Sequence, residues 1–276
     1  MKWQTILGLI WTAALVVTMA WLGKEGYRAA IAYEQASAES AKMMEAEQVA
    51  QSRLKDLAST LTFGMVKNDL REKLQRLEAQ QEQARQKARR IVLWFAGTAL
   101  SALVSAFFLP IRLATGLLSV AALIALINGL ITPILMVTVH KNVEYLGDVV
   151  LSFESKGILG SVAKLFHEGN WPIAGVILLF SVLLPALKTL SLLFVSLYET
   201  RPFAAKMVRF FKHLGKWSML DVFVVALLLV FLTSRGTDVS RAEAEIGIYF
   251  FLAYVILSLA ASLAAEKMLE GVRSEE

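Results

Sequence analysis

Apolar residues along this chain gather in long blocks with polar stretches between them. The first block runs from Thr5 to Leu22, with Lys2 before it and Lys24 after it. The second runs from Ile91 to Leu109 and is interrupted by Pro110, Ile111 and Arg112. A third, Leu113 to Val139, contains Asn128 and Pro133. The fourth is Trp171 to Leu197, the fifth Trp217 to Ser234 and the sixth Ile246 to Ala265. A helix needs ~20 apolar residues to cross roughly 30 Å of hydrocarbon. The six blocks therefore predict six membrane-spanning helices, with His140 to Asn170 as a mixed loop. Thr18-Met19-Ala20 is a poor small-x-small cleavage site, so the first block is expected to stay as a signal anchor.

The polar stretch from Gly23 to Arg90 has helix-forming composition: Ala, Glu, Gln, Lys and Arg, and no proline. Leu54, Leu57 and Leu61 follow heptad-like spacing. After a plausible break at Gly64 the pattern resumes with Leu70, Leu74, Leu77, Gln81, Ala84, Ala88 and Ile91. Steps of four and three place these residues on one stripe. The stripe predicts a helical hairpin or a self-associating coiled coil. A solvated spacer is the plainer alternative.

Composition supports the membrane assignment: 57% of the 276 residues are hydrophobic. The net charge of +5 reads as basic loops, not as a nucleic-acid surface. With no cysteine, disulfides, thiolate zinc sites and catalytic thiols are excluded. His140, His167 and His213 are too scattered to predict a metal cluster. No nucleophile triad, paired-carboxylate site or phosphate loop is present, so neither an enzyme nor a cofactor is expected.

Charge orients the spans. The connector from Glu199 to Lys216 carries Arg201, Lys206, Arg209, Lys212 and Lys216 against one acid, which predicts a cytoplasmic loop. The 141–170 loop holds three lysines and four acids, and the 235–245 turn two arginines and three acids, so both should face outward. Both termini then lie in the cytoplasm and segment 23–90 outside. Arg85, Lys87, Arg89 and Arg90, just before the second span, run against the rule. Its force fades for translocated segments longer than ~60 residues.

Three groups inside the spans can carry chemistry. Lys188 lies in the fourth block, ~10 Å from the predicted cytoplasmic boundary. It either snorkels to that boundary or faces a polar cleft. Pro185 removes a backbone donor and frees the carbonyl one turn earlier, at Ser181. Asp221, near the start of the fifth span, forms a capping-box spacing with Ser218. Alternatively it pairs with Lys188, whose depth in the adjacent span it matches. Asn128, with Thr132 and Pro133 nearby, is either helix-to-helix glue or a substrate contact.

The stretches GNWPIAGVILLFSVLLPALKTL (Gly169 to Leu190) and GKWSMLDVFVVALLLV (Gly215 to Val230) resemble the paraquat-inducible protein A family. The shared marks are a loop ending in tryptophan, a span with Pro-x-x-Lys, a basic connector, and Trp-Ser-Met-Leu-Asp-Val-Phe opening the next span. The resemblance covers roughly residues 111 to 265. It implies an inner-membrane protein of a Gram-negative bacterium that works beside periplasmic MCE-domain proteins in lipid movement. It also implies that Lys188 and Asp221 line the polar interior of a four-helix module where a headgroup enters. Typical members carry two such modules and cysteine-based zinc ribbons; this chain has one module and no cysteine.

The expected fold is therefore an all-α integral membrane protein of about six spans. Residues 1–22 form a signal-anchor helix, 23–90 an extramembrane helical hairpin or coiled coil, and 91–110 the second span. Residues 111–265 form the four-span module, and 266–276 a cytoplasmic tail. The expected function is transport of phospholipid or another amphiphile between the inner membrane and a periplasmic MCE-type carrier. Lys188, Asp221, Ser181, Pro185 and Asn128 are the candidate substrate contacts. Membrane lipids are the expected partners, within a homo-oligomer or hetero-complex and without nucleic acid. The alternative is a scaffold or envelope sensor acting through its coiled-coil arm.

Overall fold

The structure is a computed structural model that describes residues 2–44, 69–143, 147–197 and 240–273. Within hydrocarbon a chain must satisfy its own backbone hydrogen bonds, which is why the apolar blocks fold as helices. Five described helices are long and apolar enough to span a membrane. The fifth block expected from the sequence, Trp217 to Ser234, lies outside the described residues, as do the basic connector, Gly64 and Leu54, Leu57 and Leu61.

Helix α1 (Lys2–Met43) and helix α2 (Asp69–Ala106) each run unbroken from an apolar half into a polar half. The boundaries expected at residues 22 and 90 are changes of surface and not of secondary structure. The two helices pack against each other along the stripe read from the sequence. Leu77, Ala88 and Ile91 are buried on α2, opposite buried Ala29, Ala30 and Ala36 on α1. Gln81, a poor apolar knob, donates its amide to the Ala36 carbonyl at 3.2 Å. Glu25 accepts from Arg28 at 2.8 Å and lies 3.3 Å from Lys87, closing the hairpin at the membrane end of its polar half. The described parts of α1 and α2 thus pack antiparallel within one chain.

Pro110 precedes helix α3 (Ile111–Ile131), which pairs antiparallel with helix α6 (Ile246–Arg273) in the most extensive helix contact among the described residues. The seam is built from small residues. Ala121, Ala122 and Ala125 on α3 are fully buried, as are Ala261 and Ala265 on α6. A Cβ on Gly129 would lie 2.9 Å from the backbone nitrogen of Phe251, so only glycine permits that approach. Close backbone packing of this kind is how helices associate in lipid, where apolar burial supplies little drive.

The third block was expected to stay helical to Val139, but α3 ends at Ile131. Pro133 has no N–H to continue the ladder and biases Thr132 away from helical geometry; Thr132 is extended at ψ 142°. The chain then forms strands β1 (Leu135–Val143) and β2 (Gly147–Lys156), followed by helix α4 (Ile158–His167). Strand β3 (Ser240–Ala244) enters before α6, giving an antiparallel sheet in the order β2-β1-β3. This small sheet is an addition to an otherwise helical membrane fold: β1 begins inside the expected third span and β2 lies in the expected mixed loop. The Val150 N–H donates to the Met44 carbonyl at 2.9 Å, so the sheet touches the end of α1. The arm and the sheet therefore stand on the same side of the membrane. On α4, Val162 is buried while Leu159 and Phe166 are exposed. Lys164 pairs with Glu154 at 3.0 Å and Glu168 at 3.6 Å. Such a two-faced helix suits the membrane–water interface.

Candidate functional site

Helix α5 (Trp171–Leu197) carries three of the residues singled out in the sequence. It begins at Trp171, which meets Phe166 of α4 edge-on with ring centroids 6.5 Å apart. The turn Leu179–Leu183 is a π-helix, and the Leu184 N–H donates to the Leu179 carbonyl five residues back. The cause is local. Pro185 offers no N–H to the Ser181 carbonyl and its ring crowds that carbonyl, so the helix widens by one residue just ahead of it. Ser181 sits half-buried inside the widened turn, and Pro185 is buried at its end.

Beyond the π-turn, α5 has two faces. Leu183, Leu187, Leu190, Phe194 and Leu197 are exposed between 43% and 67% and form the lipid-facing stripe. Pro185, Thr189, Leu192 and Ser196 are buried and form the stripe against the rest of the protein. Lys188 is half-buried and stands about 100° around the helix from Leu187, at the edge of the buried stripe. Thr189 and Ser191 donate to the carbonyls of Pro185 and Leu187 at 2.8 and 2.6 Å. Ser196 donates to the Arg112 carbonyl at 2.8 Å, pinning the end of α5 to the start of α3.

From that pin the helices run antiparallel, so equal rise brings Asn128 of α3 to the depth of the π-turn. Depth is all they share. Asn128 faces α1, where a Cβ on Gly23 would lie 2.6 Å from its Cγ, and its amide donates to the Ile124 carbonyl at 2.7 Å. Its surroundings are those of a polar contact between helices. Asp221 lies outside the described residues, so its expected pairing with Lys188 does too.

Sequence reasoning passed over two hydroxyls. Ser119 on α3 is 0% exposed and Ser258 on α6 is 1% exposed. Neither side-chain oxygen finds a hydrogen-bond partner among the described residues. A buried hydroxyl left unbonded costs about 1–3 kcal/mol, so a polar group is wanted there. The available signal was hydroxyl spacing, since Thr115 and Ser119 stand four apart on the buried face of α3. Among the described residues, no group of three or more His, Asp or Glu converges as metal ligands would.

The family described as paraquat-inducible protein A (PqiA) matches residues 113–269, which takes in α3, the sheet, α4, α5 and most of α6. Curated relatives named "Intermembrane transport protein PqiA" from Escherichia coli strain K12 and from Shigella flexneri are each 27% identical over 126 residues. That match covers 43% of this chain and 30% of each relative, so this chain corresponds to under a third of their length. No solved structure matches the chain. Helices α1 and α2 precede the family region.

Proposed function

The chain belongs to the paraquat-inducible protein A family, and from that premise we propose that it moves a phospholipid or similar amphiphile between the bilayer and a periplasmic carrier. The observation that carries this reading is the placement of Lys188. A lysine that merely snorkels belongs on the lipid-facing stripe, whereas this one is half-buried beside the opposite stripe, one turn past a π-turn. There an ammonium can meet an anionic headgroup, with Asp221 neutralising the empty site. The buried hydroxyls of Ser119 and Ser258, without a partner among the described residues, give the module interior further polar character. In this reading the membrane is the bacterial inner membrane, the arm and sheet are periplasmic, and an MCE-type protein is the carrier.

The test is photo-crosslinking in cells from position 181, scoring phospholipid adducts in the wild type and in Lys188→Met. Adducts that depend on Lys188 support the proposal. Adducts indifferent to Lys188, or none, overturn it.

One observation favours a second reading. The polar half of α1, about 20 residues, reaches ~30 Å beyond its apolar half and could recruit a partner as a scaffold does. Deleting residues 26–88 separates the two. An envelope-barrier function that survives the deletion but not Lys188→Met favours transport; the reverse pattern favours the scaffold.

A further inference from the structure

Arg85, Arg89 and Arg90 are the residues that the charge rule leaves unexplained, and the transport reading makes no use of them. All three are exposed, while their neighbour Lys87 is engaged by Glu25. Directly below them, α2 and α6 enclose an apolar groove of about 330 Å³. The two helices run parallel here: Phe95 meets Phe250 edge-on with ring centroids 4.7 Å apart, and Leu103 and Leu257 close the far end. Val92, Ala96, Ala99 and Leu103 line one wall; Tyr249 and Ile256 stand on the other.

Helical spacing joins the groove to the arginines. Residues 85, 89, 92, 96, 99 and 103 follow one another in steps of four and three, so Arg85 and Arg89 continue the lining stripe above its mouth. Arg89 stands ~4.5 Å and Arg85 ~10 Å above Val92 along the helix. Trp94 is 69% exposed at the same level, as indoles are at a membrane–water boundary, and the half-exposed Tyr249 flanks the mouth. From Val92 to Leu103 the groove is ~17 Å long, close to the ~15 Å of one leaflet of hydrocarbon.

We infer that this groove holds one anionic phospholipid of the surrounding leaflet, with an acyl chain between α2 and α6 and its phosphodiester at Arg85 and Arg89. Charge complementarity selects this occupant. A further apolar helix would fill the groove without using the two arginines aligned above it, and a zwitterionic lipid would bring its own headgroup cation beside them, whereas a net anionic headgroup meets both without that repulsion. The site joins a helix that precedes the family region to one inside it, and does not involve Lys188.

The test uses the full chain, purified in mild detergent and offered phosphatidylglycerol or phosphatidylcholine of matched acyl chains, with retained lipid read by native mass spectrometry. Retention of phosphatidylglycerol should exceed that of phosphatidylcholine. Arg85→Gln with Arg89→Gln should erase the preference, a loss on the order of tenfold or more. The paired Lys variants should keep it. Ala96→Trp, at an exposed lining position, should fill the groove and reduce retention of both lipids. It should leave untouched any binding of free glycerol phosphate, which separates a seated lipid from a mere anion site. Lys188→Met should change none of this, so failure here and failure of the transport reading are distinct results. Equal retention of the two lipids, or retention indifferent to the Gln and Trp variants, would overturn the inference and mean that something other than an anionic lipid covers the groove.

Discussion

Helices α3 and α5 are nearly equal in hydropathy, and both are long enough to span a membrane. Yet 67% of the apolar window of α3 is buried within the protein, against 22% for α5. Hydropathy measures transfer into lipid, and lipid and protein interior are alike to it. What separates the helices is side-chain size. The buried face of α3 includes Ala114, Ala121, Ala122, Ala125 and Gly129 among its leucines, and these small residues let α6 approach to backbone contact. The outward face of α5 is leucine and phenylalanine, and its inward face holds a proline, two buried serines and a threonine. One helix is a structural seam; the other is a polar, distorted wall. Residues placed alike by an apolar scale should therefore respond to mutation in opposite ways.

The largest effect is expected at the seam. In Gly129→Leu the new Cβ meets the Phe251 backbone at 2.9 Å, and backbone cannot rotate away. Overpacking of this kind costs about 1–3 kcal/mol. A clear fall in the thermal unfolding midpoint in detergent is the expected readout. Leu187→Ile on the exposed face of α5 should leave the midpoint unchanged. Equal sensitivity at the two positions would break the contrast between seam and wall.

Next comes Lys188. Lys188→Met should lower lipid passage on the order of tenfold on the proposed reading, measured per amount of folded protein, because taking away the ammonium also leaves its partner without its counter-charge. The double change Leu187→Lys with Lys188→Met moves the ammonium onto the lipid-facing stripe. It should not restore passage. Restoration would show that depth alone matters and that the face of α5 does not.

How much of this was legible in the sequence follows the same physics. Blocks of apolar residues gave the spans, and the stripe from Leu74 to Ile91 gave the face of α2 that meets α1. The sheet was hidden because Ile134 to Val139 is as apolar as a span, and hydropathy does not separate a strand from a helix. The proline at 133 was the available clue, together with the β-branched run Val137, Thr138 and Val139. Lys188 was legible as an expensive charge, but its face was not. Which side of α5 meets lipid depends on packing against α3, and no local pattern records that. Asn128 was legible as polar, but its partner Gly23 lies 105 residues away in the chain.

A smaller effect tests whether the seam is structural throughout. Ser119→Ala and Ser258→Ala each remove a buried hydroxyl that has no partner among the described residues. Removing a lone unsatisfied group should leave stability unchanged or raise it by ~1 kcal/mol. If those hydroxyls serve a passing headgroup, transport should fall even as the midpoint rises. A midpoint that falls instead would mean each hydroxyl already holds a partner, and the polar interior would be structural in the same sense as the seam.

The smallest effect belongs to the arm. Glu25→Gln removes a half-buried carboxylate whose partners, Arg28 and Lys87, are exposed. Ion pairs in water are weak and screened by salt, so the unfolding midpoint should shift slightly at low ionic strength and not at all at high. Gln81→Ala, by contrast, takes away a hydrogen bond to the Ala36 carbonyl in the partly buried stripe, and its effect should persist in salt. The contrast tests whether the arm is held by its stripe or by its charges. If the stripe holds it, the basic residues above the groove are not needed to fold the arm, and Arg85 and Arg89 can change without loss of the hairpin.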